Sequence, residues 1–100
     1  MKKLLVLVLC VAGAACNTPA PKSRNETLVR QMFEAFNRHD WKAMTEFYAD
    51  TADFLDPSYG TEYVRKSRSE TVVKYTEMQN RFPDLHDEVV TLFSNGDKVA

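Results

Sequence analysis

The sequence predicts an α+β domain in which three N-terminal helices pack on an antiparallel sheet. Two observations at the ends of the folded region lead to this. Apolar residues recur at helical spacing from Leu28 onward, and a β-prone run, Leu85 to Ser94, leads into Asn95-Gly96, a strong short hairpin signal. Between them, Pro83 forces a boundary between the last helix and that run.

The elements follow in order. Ser23-Arg24-Asn25-Glu26 has the form of a capping box, and Leu28, Val29, Met32, Phe33 and Phe36 make one stripe on a helix reaching about Arg38. Asp40 can cap a second helix, with Trp41, Met44, Phe47 and Tyr48 on one face. Residues 52–56 read as a short strand and Pro57-Ser58-Tyr59-Gly60 as a turn, because proline fixes φ and glycine tolerates positive φ. A long helix is expected from Thr61 or Glu62 to about Arg81, with a stripe of Val64, the stem of Arg68, Val72, Tyr75, Met78 and Phe82. The strand Leu85–Ser94 is apolar on both faces, which suits a central, covered position. Asp97 to Ala100 begins the returning arm.

The chain has 100 residues, which suits one domain. Thirteen Lys/Arg against fourteen Asp/Glu argue against a nucleic-acid binder working through bulk charge. Both cysteines fall in the first sixteen residues, so neither a disulfide framework nor a cysteine-based zinc site is available to the remainder.

Residues 1–15 read as a signal peptide: Lys2-Lys3, an apolar run from Leu4 to Ala12, then Gly13-Ala14-Ala15. The run is shorter than the roughly 20 residues a membrane-spanning helix needs. Small residues directly before Cys16 resemble the lipobox of bacterial lipoproteins, although Gly13 stands where that family usually has leucine. The resemblance implies lipidation of Cys16 and attachment to a membrane in the bacterial cell envelope. Asn17 after the cysteine leans the sorting towards the outer membrane. Cys10 is a weaker candidate, and cleavage near Ala15 without lipidation is the alternative. Residues 16–22 would then be the lipidated cysteine and a proline-containing tether, with residues 23–100 forming the folded part.

Candidate chemistry is sparse. Asp53 and Asp56 are three apart on a strand, so they point to opposite faces and make no acid/base pair. Asp56 is the one candidate catalytic carboxylate: against Tyr59, Trp41 or Phe54 its pKa would rise and suit a general base. The alternative is that it only closes an Asx turn. Trp41, Phe54, Tyr59 and Tyr63 are the candidate ligand-pocket residues, their polar tips suiting an amphipathic small molecule. Arg65-Lys66-Ser67-Arg68 is a basic cluster read as a solvated face on the first turns of the long helix. His39 and His86 lack convergent neighbours and are expected at the surface, so no metal site and no cofactor is expected.

Three segments carry a further resemblance: Asp56-Pro57 followed by Gly60, Phe82-Pro83-Asp84-Leu85, and Gly96-Asp97-Lys98-Val99-Ala100. Their order and spacing are similar to the SnoaL-like polyketide-cyclase and ester-cyclase branch of the NTF2-like superfamily, over residues 25–100. The resemblance implies a cone: three helices on a curved antiparallel sheet around an apolar pocket. The sheet is expected to be incomplete, with the chain a C-terminally truncated version of the domain. The cyclases' acid and histidine residues lie on later strands, so none transfers to a numbered position here. The implied function is binding of a small hydrophobic or amphipathic molecule. The alternatives are a cyclase- or isomerase-type enzyme abstracting a proton next to a carbonyl, and a module that dimerises through the sheet.

Overall fold

The computed structural model describes residues 23–100, which form, in order, α1 (Arg24–Asn37), α2 (Trp41–Thr45), β1 (Thr51–Phe54), a 3-10 turn (Pro57–Tyr59), β2 (Val64–Ser67), α3 (Arg68–Arg81), β3 (Ser94–Asn95) and β4 (Lys98–Val99). The signal segment, Cys16 and the tether lie outside the described residues.

Ser23 caps α1, its side chain accepting from the Glu26 N–H at 3.1 Å. Only half of the expected capping box forms, because the Glu26 carboxylate turns away to Ser94 Oγ at 2.8 Å. At its other end α1 closes in a Schellman motif: the Asp40 N–H donates to Ala35 O and the His39 N–H to Phe36 O. The left-handed position that glycine usually fills is occupied by His39, at φ 56°. Asp40 then caps α2 through the Ala43 N–H at 3.1 Å. After five residues α2 tightens into i→i−3 bonds at Phe47 and Tyr48, so Tyr48 is half-buried and Phe47 turns outward.

The expected long helix from Thr61 does not form. Residues 64–67 are instead a strand paired antiparallel to β1, with Asp53 directly opposite Arg65 and Phe54 opposite Val64. Two interactions hold this register. Asp53 and Arg65 make a bidentate pair (Nε–Oδ1 2.8 Å, Nη2–Oδ2 2.9 Å), and Arg68 donates from Nε and Nη2 to Tyr48 O at 3.0 and 2.6 Å. The helix starts only at Arg68, behind a complete capping box: the Ser67 side chain accepts from the Glu70 N–H, and the Glu70 carboxylate accepts from the Ser67 N–H. Of the basic cluster only Arg68 therefore stands in the first turn of a helix, where a cation opposes the dipole. Arg65 and Lys66 precede it, and Glu70 occupies the first turn. α3 ends at Arg81 as expected, since Pro83 excludes helical geometry at Phe82.

The core lies where α1, α2 and α3 meet. Ala35, Phe36, Trp41 and Met44 are buried, with Met32, Tyr48, Val72, Tyr75 and Leu85 packed around them. Phe36 sits edge-on to Trp41 and to Tyr75 (centroids 5.3 and 5.8 Å), and Trp41 stacks on Tyr75 at 5.4 Å. Such pairs add about 0.5–1.5 kcal/mol each beyond area burial.

Among the described residues the sheets are two separate two-stranded pairs, β1–β2 and β3–β4. The expected strand Leu85–Ser94 runs without turn or bend but has a ladder partner only from Phe93 onward, where Phe93 and Ala100 exchange both backbone bonds at 2.8 Å. It is not covered on both faces: Val90 is 86% exposed and Phe93 60%. The hairpin forms at the expected place but with Gly96-Asp97 as its central residues, and only Gly96 has positive φ (61°), the signature of a II′ turn. The turn is docked on α1, Ser94 Oγ lying 2.8 Å from Ser23 Oγ and the Asn25 amide donating to Gly96 O at 3.4 Å.

Candidate functional site

Asp56 ends the extended segment after β1. Its carboxylate accepts from the Ser58 N–H at 2.8 Å, which starts the 3-10 turn, and the Tyr59 N–H returns to Asp56 O at 2.8 Å. Gly60 leaves the turn at φ 111°, ψ −151°, a region that only glycine occupies readily. This geometry sets the Tyr59 ring against α3 and the end of β2, Lys74 Nζ of the helix lying 4.2 Å from its centroid and Lys66 Nζ of the strand 5.4 Å. Lys74 also donates to the Asp56 carboxylate, so one ammonium joins turn, aromatic face and helix.

An open groove of about 540 Å³ runs along α3 beside this junction. Tyr59, Val73, Met78 and Phe82 are its apolar surface, and Lys66, Glu70, Lys74, Glu77 and Arg81 line it with charge. Much of the charge is internally matched: Lys74 with Asp56, and Lys66 with Glu70 at 3.7 Å.

The candidate site residues separate on folding. Tyr59 lines the groove. Trp41 is 6% exposed and belongs to the core, its Nε1–H donating to Gln79 Oε1 at 2.8 Å. Phe54 packs edge-on against Tyr48 at 5.6 Å, and Tyr63 is 70% exposed outside the groove. Alternation explains the scatter: on β1, Phe54 faces Tyr48, whereas Trp41 is drawn into the place where α1, α2 and α3 converge.

Asp56 does not meet the environment expected for a general base. Instead of rising, its pKa is held down to about 2, first by the hydrogen bond from Lys74 and then by those from Ser58, with desolvation too weak to reverse them. The Asx turn, the alternative reading of this residue, is what forms. Tyr48 and Tyr75 have raised pKa values, both chiefly through burial.

His39 differs from expectation as well. It is half-buried, stacked on Trp41 at 5.3 Å, and its Nε2 lies 2.6 Å from Leu85 O. A carbonyl oxygen only accepts, so Nε2 carries the proton. Among the described residues no group of three His, Cys, Asp or Glu side chains could hold a metal ion, and no helix is long and apolar enough to cross a membrane.

Lys74 is the groove residue that the sequence reading missed. Its signal was its place one residue before Tyr75 on the face neighbouring the core stripe. The Ser67-x-x-Glu70 pattern would also have placed the start of α3.

Comparison with known proteins gives one match, to the family model described as SnoaL-like domain, over residues 29–100. No curated protein and no solved structure matches the chain. With that model spanning well over half of its length, the chain belongs to the SnoaL-like domain family of the NTF2-like superfamily.

Proposed function

We propose that this protein is a lipid-anchored SnoaL-like domain of the bacterial cell envelope that binds a small amphipathic molecule in the groove between the Asp56–Gly60 turn and α3. The observation that carries the reading is the groove itself, where an apolar floor of Tyr59, Val73 and Met78 is edged by Lys66 and Lys74, each already paired with a carboxylate. Such a surface takes an apolar body and leaves a polar end at the rim. Asp56, held ionised by Lys74, supports binding rather than proton abstraction by this carboxylate. The anchoring part rests on the small residues before Cys16.

Binding of the amphipathic fluorophore anilinonaphthalene sulfonate to the full chain tests the groove. Met78→Asp, which puts an unpaired charge on the floor, should weaken binding about tenfold or more with helix content unchanged. Unchanged affinity in a folded Met78→Asp variant rejects this site. For the anchor, Cys16→Ala should abolish an acylated product by mass, and an unchanged mass rejects lipidation.

A further inference from the structure

The groove follows α3 from Glu70 in its first turn to Arg81 in its last, about 16 Å at a rise of about 1.5 Å per residue. Its apolar surface lies between these ends and stands open to solvent. Val73 is 56% exposed, and Phe82, next to Arg81, is 58% exposed. That length suits one extended chain, and an extended amphiphile carries its polar group at an end.

The two ends of the groove differ in charge. At the β2 end Lys66 is paired with Glu70, and further along Lys74 is bonded to Asp56. Arg81, at the far end, takes part in no ion pair among the described residues, although Glu77 stands one turn before it on the same wall. The last turn of a helix accommodates a cation without a carboxylate partner, because the negative end of the dipole faces it. The guanidinium therefore keeps its fork of donors for another acceptor, and a carboxylate matches that fork bidentately.

We propose that the ligand of this groove, on the reading given above, is a single-chain amphiphile with a carboxylate head. Its chain lies over Val73, Met78 and Phe82, and its head sits on Arg81. Glu77 also has no ion-pair partner among the described residues, but it lies part-way along the wall with Lys74 before it and Arg81 after it. An end-charged ligand presents its chain there, not its head.

Calorimetric titration of the full chain with decanoate, decan-1-ol and decylamine, each below its micellar concentration, separates the head from the chain. Decanoate should bind about fivefold or more tighter than decan-1-ol. Arg81→Gln should abolish that difference and leave the affinity for decan-1-ol unchanged. Equal binding of decanoate and decan-1-ol by the wild-type chain overturns the proposal and leaves the groove as a binding site. So does a preference for decylamine, which would put the head on Glu77. Arg81→Gln weakening decanoate and decan-1-ol alike also overturns it, because Arg81 would then shape the wall instead of reading the head. Binding of none of the three overturns the groove reading together with this one.

Discussion

Lys74, midway along α3, donates to the carboxylate of Asp56, eighteen residues earlier in the chain, and rests its ammonium on the Tyr59 ring. This is the one ionic link between the 3-10 turn and the helix behind it. It makes the wall of the groove a single unit.

The link has a defined pH dependence. The Asp56 pKa is lowered from 3.8 to about 2 by the Lys74 and Ser58 hydrogen bonds, so the folded state binds its proton less readily than the unfolded chain. Its stabilisation is complete above pH of about 4 and is lost as the pH falls towards 2. With the carboxylate partly screened by water, Asp56→Asn should cost about 1 kcal/mol at neutral pH. It should also flatten the stability profile across that window, as read from urea midpoints at a series of pH values.

Trp41 tests the placement of the core. Trp41→Phe keeps most of the apolar contact but removes the Nε1–H bond to Gln79, and should cost about 1–2 kcal/mol. Trp41→Ala also leaves a cavity against Phe36 and Tyr75, and should cost about 3–5 kcal/mol. Were Trp41 a ligand contact rather than a core residue, both variants would unfold at the wild-type urea concentration.

His39 holds a left-handed position because its side chain compensates for the backbone, donating to Leu85 O and stacking on Trp41. His39→Ala loses both contacts and keeps the strain, whereas His39→Gly loses the contacts and removes the strain. The glycine variant should therefore be the more stable by about 1 kcal/mol. The comparison is one of thermal midpoints, and equal midpoints would mean that φ relaxes on substitution.

Gly60 has open space where a Cβ would stand, so any cost of Gly60→Ala comes from the backbone alone. At φ 111° that cost should be about 1–3 kcal/mol. The variant should also displace Tyr59, seen as weakened fluorophore binding in the groove.

Much of the local structure was legible in the residues. Ser23 and Asp40 read as helix caps and act as caps. Pro83 ends α3 at Arg81, Asp56-Pro57 opens a turn closed by Gly60, and Asn95-Gly96 marks a hairpin. Each is short-range chemistry, in which a side-chain oxygen finds a nearby N–H or a ring or a missing Cβ restricts φ. The helix read through residues 61–67 shows the limit of that reasoning: strand β2 owes its state to Asp53 and Thr51, more than ten residues away.

The family, the helix caps and the turns were contained in the sequence alone, because capping, turn chemistry and helical periodicity act within a few residues of one another. Tertiary structure alone decided which aromatic faces the groove. Trp41 is taken into the core by Phe36 and Tyr75, and Tyr59 is left outside by the Lys74 that binds Asp56. It also decided the ionisation of Asp56. A carboxylate's pKa depends on the charge and water around it, and the nearest charge is set by packing rather than by its neighbours in the chain.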